Sequence, residues 1–289
     1  MRIVCGTDFS ALAQQAATVA ALWSRKSRGD LHLLHGLRPL RRWDPALERE
    51  ELAREARRLQ ELGAVVAGWD VVAGDPDEVL IKEAARRAAD LLVVGATGHR
   101  LAERMFLGSV AVRTARESPV PVLVVRGAEP FAAWLDGNRP LRVVAGFERG
   151  ESALNGLRWA ADLKGLGSIE LTVVEVVVPG IENRRVQASG PGIGFELRPE
   201  AESQLWEELR LAVTSVIGDL PARLMIKPGL GRRDIHLVQA AEDAQAELVV
   251  VGSHQRKGFQ RWWHGSVSSG VLHAAPMSVA VVPYRPAET

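Results

Sequence analysis

The chain has 289 residues, enough for one large domain or two of the ordinary size of about 100–200 residues. Hydrophobic residues make up 47% and charged residues 25%, values of a globular protein with a substantial core. With 36 Lys+Arg against 35 Asp+Glu the formal net charge is +1, so nothing points to an electrostatic nucleic-acid binder. In chain order, the first apolar run, Arg2 to Gly6, reads as a strand and holds the single cysteine, Cys5. Without a second cysteine for a disulfide or a metal cage, Cys5 reads as a buried structural thiol in a reducing compartment. The opening MRIVCGTDFS has too short an apolar run for a signal peptide, and no segment approaches the ~20 apolar residues of a membrane span. A cytoplasmic protein with no membrane partner is expected.

Ala11 to Lys26 has helical periodicity, Leu31 to Gly36 reads as a strand, Pro45 to Leu62 as a helix and Ala64 to Val71 as a strand. Then follow a helix from Asp77 to Ala89, a strand from Leu91 to Gly95, a helix from Ser109 to Glu117 and a strand from Val120 to Val125. Arg126 to Pro140 reads as a linker. Beyond it, strands are expected near Leu141 to Gly146, Ile169 to Val178, Ala222 to Lys227, Leu248 to Gly252 and Val279 to Pro283, with Pro179 to Glu200 as a long loop rich in Gly, Pro and polar residues. The basic clusters Arg38-Arg41-Arg42 and Arg184-Arg185 read as solvated faces.

The second series repeats the first. DLLVVGATGHRLAERMFLGSVAVRTARESPVPVLVV (Asp90 to Val125) and ELVVVGSHQRKGFQRWWHGSVSSGVLHAAPMSVAVV (Glu247 to Val282) align without a gap. Gly95 meets Gly252, Arg104 meets Arg261, Gly108-Ser109-Val110 meets Gly265-Ser266-Val267 and Pro119 meets Pro276. Upstream, RIVCGTDFSALAQQA recurs loosely as RVVAGFERGESALNGL, with Gly6 opposite Gly146 and Ser10 opposite Ser152. The chain is therefore read as a duplication, one domain over residues 1–127 and a second over 140–286. Continuous Val/Leu/Ile strands alternating with helices make each an α/β domain, a doubly wound five-stranded parallel sheet.

In such a sheet ligands bind beyond the carboxyl ends of the strands, where the winding reverses. If the strand order is 3-2-1-4-5, the loops GTDFS (Gly6 to Ser10) and GATGHRLAERMFLGS (Gly95 to Ser109) face one crevice. Gly95 and Gly98 let backbone amides approach a polyphosphate, and Gly108-Ser109 opens a helix whose N–H groups favour anions. Ser109 adds a hydroxyl donor, and His99 and Arg100 add positive charge. Asp8 would accept from a ribose hydroxyl or hold Mg²⁺. Against this stand structural explanations: Gly95 for tight strand-to-loop packing, Ser109 as a helix N-cap, Asp8 as a cap of the first helix.

His32 and His35 read as core or crevice residues, and Trp262-Trp263 as aromatics packed on the partner domain. The G-x4-G-K-[ST] phosphate loop, the G-x-G-x-x-G fingerprint and the G-x-S-x-G elbow are all missing from the sequence.

The spacing Gly95-x2-Gly98-x9-Gly108-Ser109, with Asp8 after the first strand and Gly-Asp-Pro at residues 74–76, resembles the universal stress protein family, in tandem, over nearly the whole chain. The resemblance implies an adenine nucleotide alpha hydrolase-like fold and ATP in the crevice, the triphosphate on the Gly95 to Ser109 loop and the adenosine near Thr7, Asp8 and the end of the second strand. It also implies that Val94, His99 and Val110 border the nucleotide. Members usually dimerise, often through the last strand of each domain, so the two halves are expected to pair as an intramolecular pseudo-dimer, with a homodimer as a further step. The second half departs from the pattern: Gln255 replaces the second glycine and Glu148 the Asp, while Gly252, Gly265 and Ser266 remain. Gly258, Arg256 and Lys257 lie nearby, and a structural partner for the first half is the expected role. The chain is expected to be an ATP-binding stress-response protein, non-catalytic or a very slow ATPase. The alternatives are a nucleotide-free interaction module and, ranked last, an enzyme acting on adenylates with Asp8 or His99 as base.

Overall fold

The computed structural model describes residues 1–38, 45–97, 107–186, 196–220, 222–253 and 267–284. The first half runs β1 (Arg2–Gly6), α1 (Ala11–Ser27), β2 (Asp30–Leu37), α2 (Ala46–Glu61), β3 (Val65–Ala73), α3 (Pro76–Arg86), β4 (Leu91–Gly95), α4 (Ser109–Glu117) and β5 (Val122–Val125). A connecting helix, α5 (Glu129–Leu135), leads into β6 (Leu141–Phe147), α6 (Glu151–Asp162) and β7 (Ile169–Val177). The chain continues through α7 (Pro179–Arg185), α8 (Pro199–Ile217), β8 (Ala222–Pro228), α9 (Arg233–Asp243), β9 (Leu248–Ser253), α10 (Val267–Ala274) and β10 (Ser278–Pro283).

Helix starts follow local chemistry. Ser10 caps α1, its hydroxyl accepting from Ala13 N, and Arg28 closes the helix in the left-handed region at φ 53°. In α3, Pro76 sits in the first turn with Asp77 and Glu78, which complement the positive end of the helix dipole.

All ten strands form one sheet in the order β3-β2-β1-β4-β5-β10-β9-β6-β7-β8. Each half has the expected 3-2-1-4-5 arrangement and is parallel throughout, whereas the last strands of the halves meet antiparallel, Val122 opposite Val281 and Val124 opposite Val279. The pseudo-dimer is therefore one continuous sheet. Strands β1, β4, β5, β9 and β10 are buried on both faces, which is why they read as unbroken apolar runs. One core layer packs α1, α6 and α8 on the sheet, and the other packs α3, α4, α9 and α10.

Two expectations fail. Residues 126–140 are not merely a linker: α5 buries Phe131 and Trp134 completely. Their spacing puts both rings on one helix face, where Trp23 of α1 meets Trp134 edge-on at 5.7 Å and Trp159 of α6 at 6.1 Å. The expected loop from Pro179 to Glu200 likewise begins as α7, with Pro179 in its first turn, and α8 starts within its last two residues. Cys5 is fully buried, and burial pushes its thiol far above the ordinary range, so it remains an un-ionised structural group.

Candidate functional site

The carboxyl ends of β1 and β4 are adjacent, and two loops converge there. After β1, Thr7 N donates to Leu34 O at 2.9 Å and extends the ladder. Thr7 Oγ1 accepts from Phe9 N at 3.0 Å, and Asp8 Oδ1 from Ser10 N at 3.1 Å. These turns hold Phe9 at φ 64°, a conformation that costs a non-glycine residue of order 1 kcal/mol. From β2, His35 Nδ1 donates to the Thr7 carbonyl at 2.7 Å, and its ring lies 4.8 Å from Phe9. Because that acceptor is a carbonyl, Nδ1 must carry a proton. Apart from its placement among the crevice residues, this role of His35 had no sequence signal, since it depends on the pairing of β1 with β2.

After β4, Ala96 N donates to Val125 O at 2.9 Å, and Gly108 N returns to Ala96 O at 2.7 Å. That return bond places the N-terminus of α4 beside the end of β4. The two loops touch where Ser10 Oγ donates to Thr97 O at 3.5 Å. Of the residues expected at the site, Thr7 and Val94 are buried, Asp8, Gly95, Gly108 and Val110 are half-buried and Ser109 is exposed. Gly98 and His99 lie outside the described residues, as do Gln255, Gly265, Ser266 and Trp262-Trp263.

The structural explanations divide. Neither Ser109 nor Asp8 is a cap: Gly108 is the N-cap of α4, Ser109 its first helical residue, and Ser10 caps α1. Gly95, by contrast, is needed for packing, since a Cβ there would stand 2.9 Å from Leu12 C and 3.0 Å from Ala13 N in the backbone of α1.

Gly252 meets α6 in the same way, at Ser152 and Ala153, so Ser152 is the counterpart of Leu12. Ser10 therefore corresponds to Gly150, not to Ser152 as the sequence alignment suggests; the short loops differ in their pattern of small and polar residues, which hid the register. On this register Phe147, Glu148 and Arg149 replace Thr7, Asp8 and Phe9. Gly6 pairs with Leu34 and Gly146 with Val174, so Glu175 replaces His35.

These replacements bring an ion-pair network to the carboxyl ends of β6 and β7. Arg149 reaches Glu175 at 3.0 Å, Glu182 at 3.0 Å and Glu208 at 3.5 Å. Arg185 reaches Glu182 and Glu208, each at 2.8 Å, so it clamps α7 to α8 instead of lying on a merely solvated face. Burial raises the Glu175 carboxyl above its ordinary range; Arg149 opposes the rise, while Glu182 and Glu208 add to it. Among the described residues Glu175 Oε2 has no hydrogen-bond partner, no three His, Cys, Asp or Glu side chains are grouped to hold a metal ion, and no helix is long and apolar enough to cross a membrane.

Two doubly wound domains of order 3-2-1-4-5, joined through their last strands, with paired loops at the β1/β4 switch point of the first, define a tandem protein of the adenine nucleotide alpha hydrolase-like class. The chain belongs to the universal stress protein family, whose sequence model matches residues 1–126 and 141–283. It is 28% identical over 205 residues to a universal stress protein of Mycobacterium tuberculosis, an alignment covering 67% of this chain and 61% of that relative. The chain thus spans about three fifths of the length of the curated relatives it matches over most of its own sequence. A universal stress protein of Thermus aquaticus is 29% identical over 134 residues, 43% of this chain and 97% of its own. The crystal structure of a universal stress protein from Archaeoglobus fulgidus shares the fold with a TM-score of 0.69 at 19% identity, covering 98% of both chains.

Proposed function

We propose that the N-terminal half binds one adenine nucleotide, ATP in the first instance, and that the C-terminal half serves as its structural partner. The observation that carries the reading is the meeting of the Thr7–Ser10 loop with the end of β4, through Ser10 Oγ and Thr97 O, at the switch point of the sheet. There the first-turn N–H groups of α4, which lack carbonyl partners within the helix, suit phosphate oxygens, and Gly108 lets backbone come close. Asp8 stands beside the crevice as acceptor for a ribose hydroxyl or as neighbour of a Mg²⁺ carried on the phosphates. Val94 and Val110 offer apolar contact, and Gly98, His99 and Ser109 complete the phosphate side by their place in the glycine pattern. Among the described residues of the second half, Arg149 and three glutamates stand instead beyond the corresponding strand ends.

The role is regulatory, in a cytoplasmic stress response, without catalysis or with only slow hydrolysis. Nucleotide occupancy would bias the loop between two states that differ in affinity for it. A nucleotide-free interaction module is favoured by one fact, that packing against α1 already accounts for Gly95. Denaturing the purified protein and analysing the supernatant separates the two: the nucleotide reading expects ATP, ADP or AMP to be released, and less from Gly98→Val. No nucleotide released, together with no calorimetric binding of added ATP, would leave the interaction module. Sustained ADP formation abolished by Asp8→Ala would instead establish an enzyme.

A further inference from the structure

The pairing of β5 with β10 uses up the last strand of each half, so a second chain cannot join there without opening the molecule. Among the described strands two remain paired on one side only, β3 and β8, and they are guarded very differently. An open edge presents unpaired N–H and C=O groups, and proteins that stay monomeric blunt it with Lys, Pro or other charges. The β8 edge has such guards: its seven residues, ARLMIKP, include Arg223, Lys227 and Pro228. The nine residues of β3, VVAGWDVVA, include no Lys, Arg or Pro. The one charge, Asp70, turns back on its own domain, accepting from His32 Nε2 at 2.9 Å and from Arg87 at 2.8 Å. Val65 is 51% and Trp69 39% exposed.

We infer that the β3 edge is a homodimer surface, on which the β3 strand of a second copy of this chain adds antiparallel. Three features favour a second copy over a foreign strand. With the extra residue Ala67 set aside, β3 reads VVGWDVV, symmetric about Trp69 but for Gly68 and Asp70, so antiparallel self-pairing brings Val65 and Val66 against Val72 and Val71 at both ends. With Asp70 neutralised within its own domain, self-pairing brings no uncompensated like charges together. The sheet is already extended once in this manner, edge to edge and antiparallel through Val122–Val281 and Val124–Val279, and a second such joint continues it. The extra residue where Val66 and Gly68 pair with Leu31 and His32 adds twist near the start of β3 and leaves Gly68 to Ala73 regular.

Analytical ultracentrifugation of the full chain at 1–100 µM tests this, using Trp69→Lys and Val65→Lys as edge guards and Leu211→Lys, at an exposed apolar site on α8, as control. Wild type and Leu211→Lys are expected to sediment as dimers, and both edge variants as monomers at least tenfold further up the concentration range, with unchanged far-UV circular dichroism. Val65→Lys, at the end of the strand, decides the matter if Trp69→Lys does not fold. Outward amides of β3 should also gain hydrogen-exchange protection as wild type is concentrated. A wild type monomeric throughout, or edge variants that dimerise as wild type does, would overturn the proposal.

Discussion

Alanine in place of Gly252 is expected to cost about 3 kcal/mol, lowering the unfolding midpoint by roughly 6–12 °C for a chain of this size. A Cβ at this position would overlap the backbone oxygen of Ser152 and stand 3.0 Å from Ala153 N. Those are backbone atoms of a packed helix, so relief requires α6 to lift from β9, not a change of rotamer. The same substitution at Gly95 should cost less, because its nearest neighbours, Leu12 C, Ala13 N and Leu12 O, lie at 2.9–3.0 Å. Differential scanning fluorimetry of the two variants reads the order directly. A Gly252→Ala protein within about 1 kcal/mol of wild type would mean that α6 does not ride on β9 as described. A practical consequence follows for ligand work: loss of binding in a variant at Gly95 would report helix packing as much as phosphate contact.

Replacing Arg149 with methionine should destabilise the C-terminal half by about 2 kcal/mol at neutral pH. Breaking a buried ion pair costs ~3–5 kcal/mol, but the Arg149 side chain is 35% exposed, so solvent screening reduces its share. The pH dependence identifies the cause. Burial already raises the folded Glu175 carboxyl above the ordinary value for a glutamate, and without Arg149 it rises further. A carboxyl with a folded pKa above its unfolded one binds its proton more tightly in the native state. Its contribution is fully present below the unfolded value and is lost as pH rises through the folded one. The deficit of Arg149→Met should therefore shrink as pH falls from 7 towards 5, and Glu175→Gln in the same chain should restore more than half of it. Urea unfolding at several pH values measures this; a deficit that does not change with pH would show that Glu175 is not the group left stranded.

The strands were legible because burial on both faces leaves no polar alternation to confuse the pattern: β1 and β4 match the sequence reading at both ends, and β5 begins two residues late. The order of the sheet followed from the fold class. The helix α5 was missed although its signals were present, Pro130 in the first turn and Phe131 and Trp134 on one face; the surrounding Gly, Asp and Asn residues suggested a linker. The crevice was legible as a place, since the switch point and the loop after β4 can be located from topology and glycine spacing. Its chemistry was only half legible. The tie from Ser10 to Thr97 and the contact of Gly95 with α1 join residues far apart in the chain. The ion-pair network of the second half gathers Arg149, Glu175, Glu182, Arg185 and Glu208 from three elements and one loop, and no spacing rule connects them.

The asymmetry between the halves lies in the glycine pattern with Asp8 in the first against Gln255 and the Arg149–glutamate network in the second. Calorimetric titration of the 289-residue chain with ATP, after any nucleotide carried through purification has been removed, tests it most directly. The expected result is one nucleotide per chain, lost in Gly98→Val and retained in Arg149→Met. Two nucleotides per chain, or one that survives Gly98→Val, would contradict it.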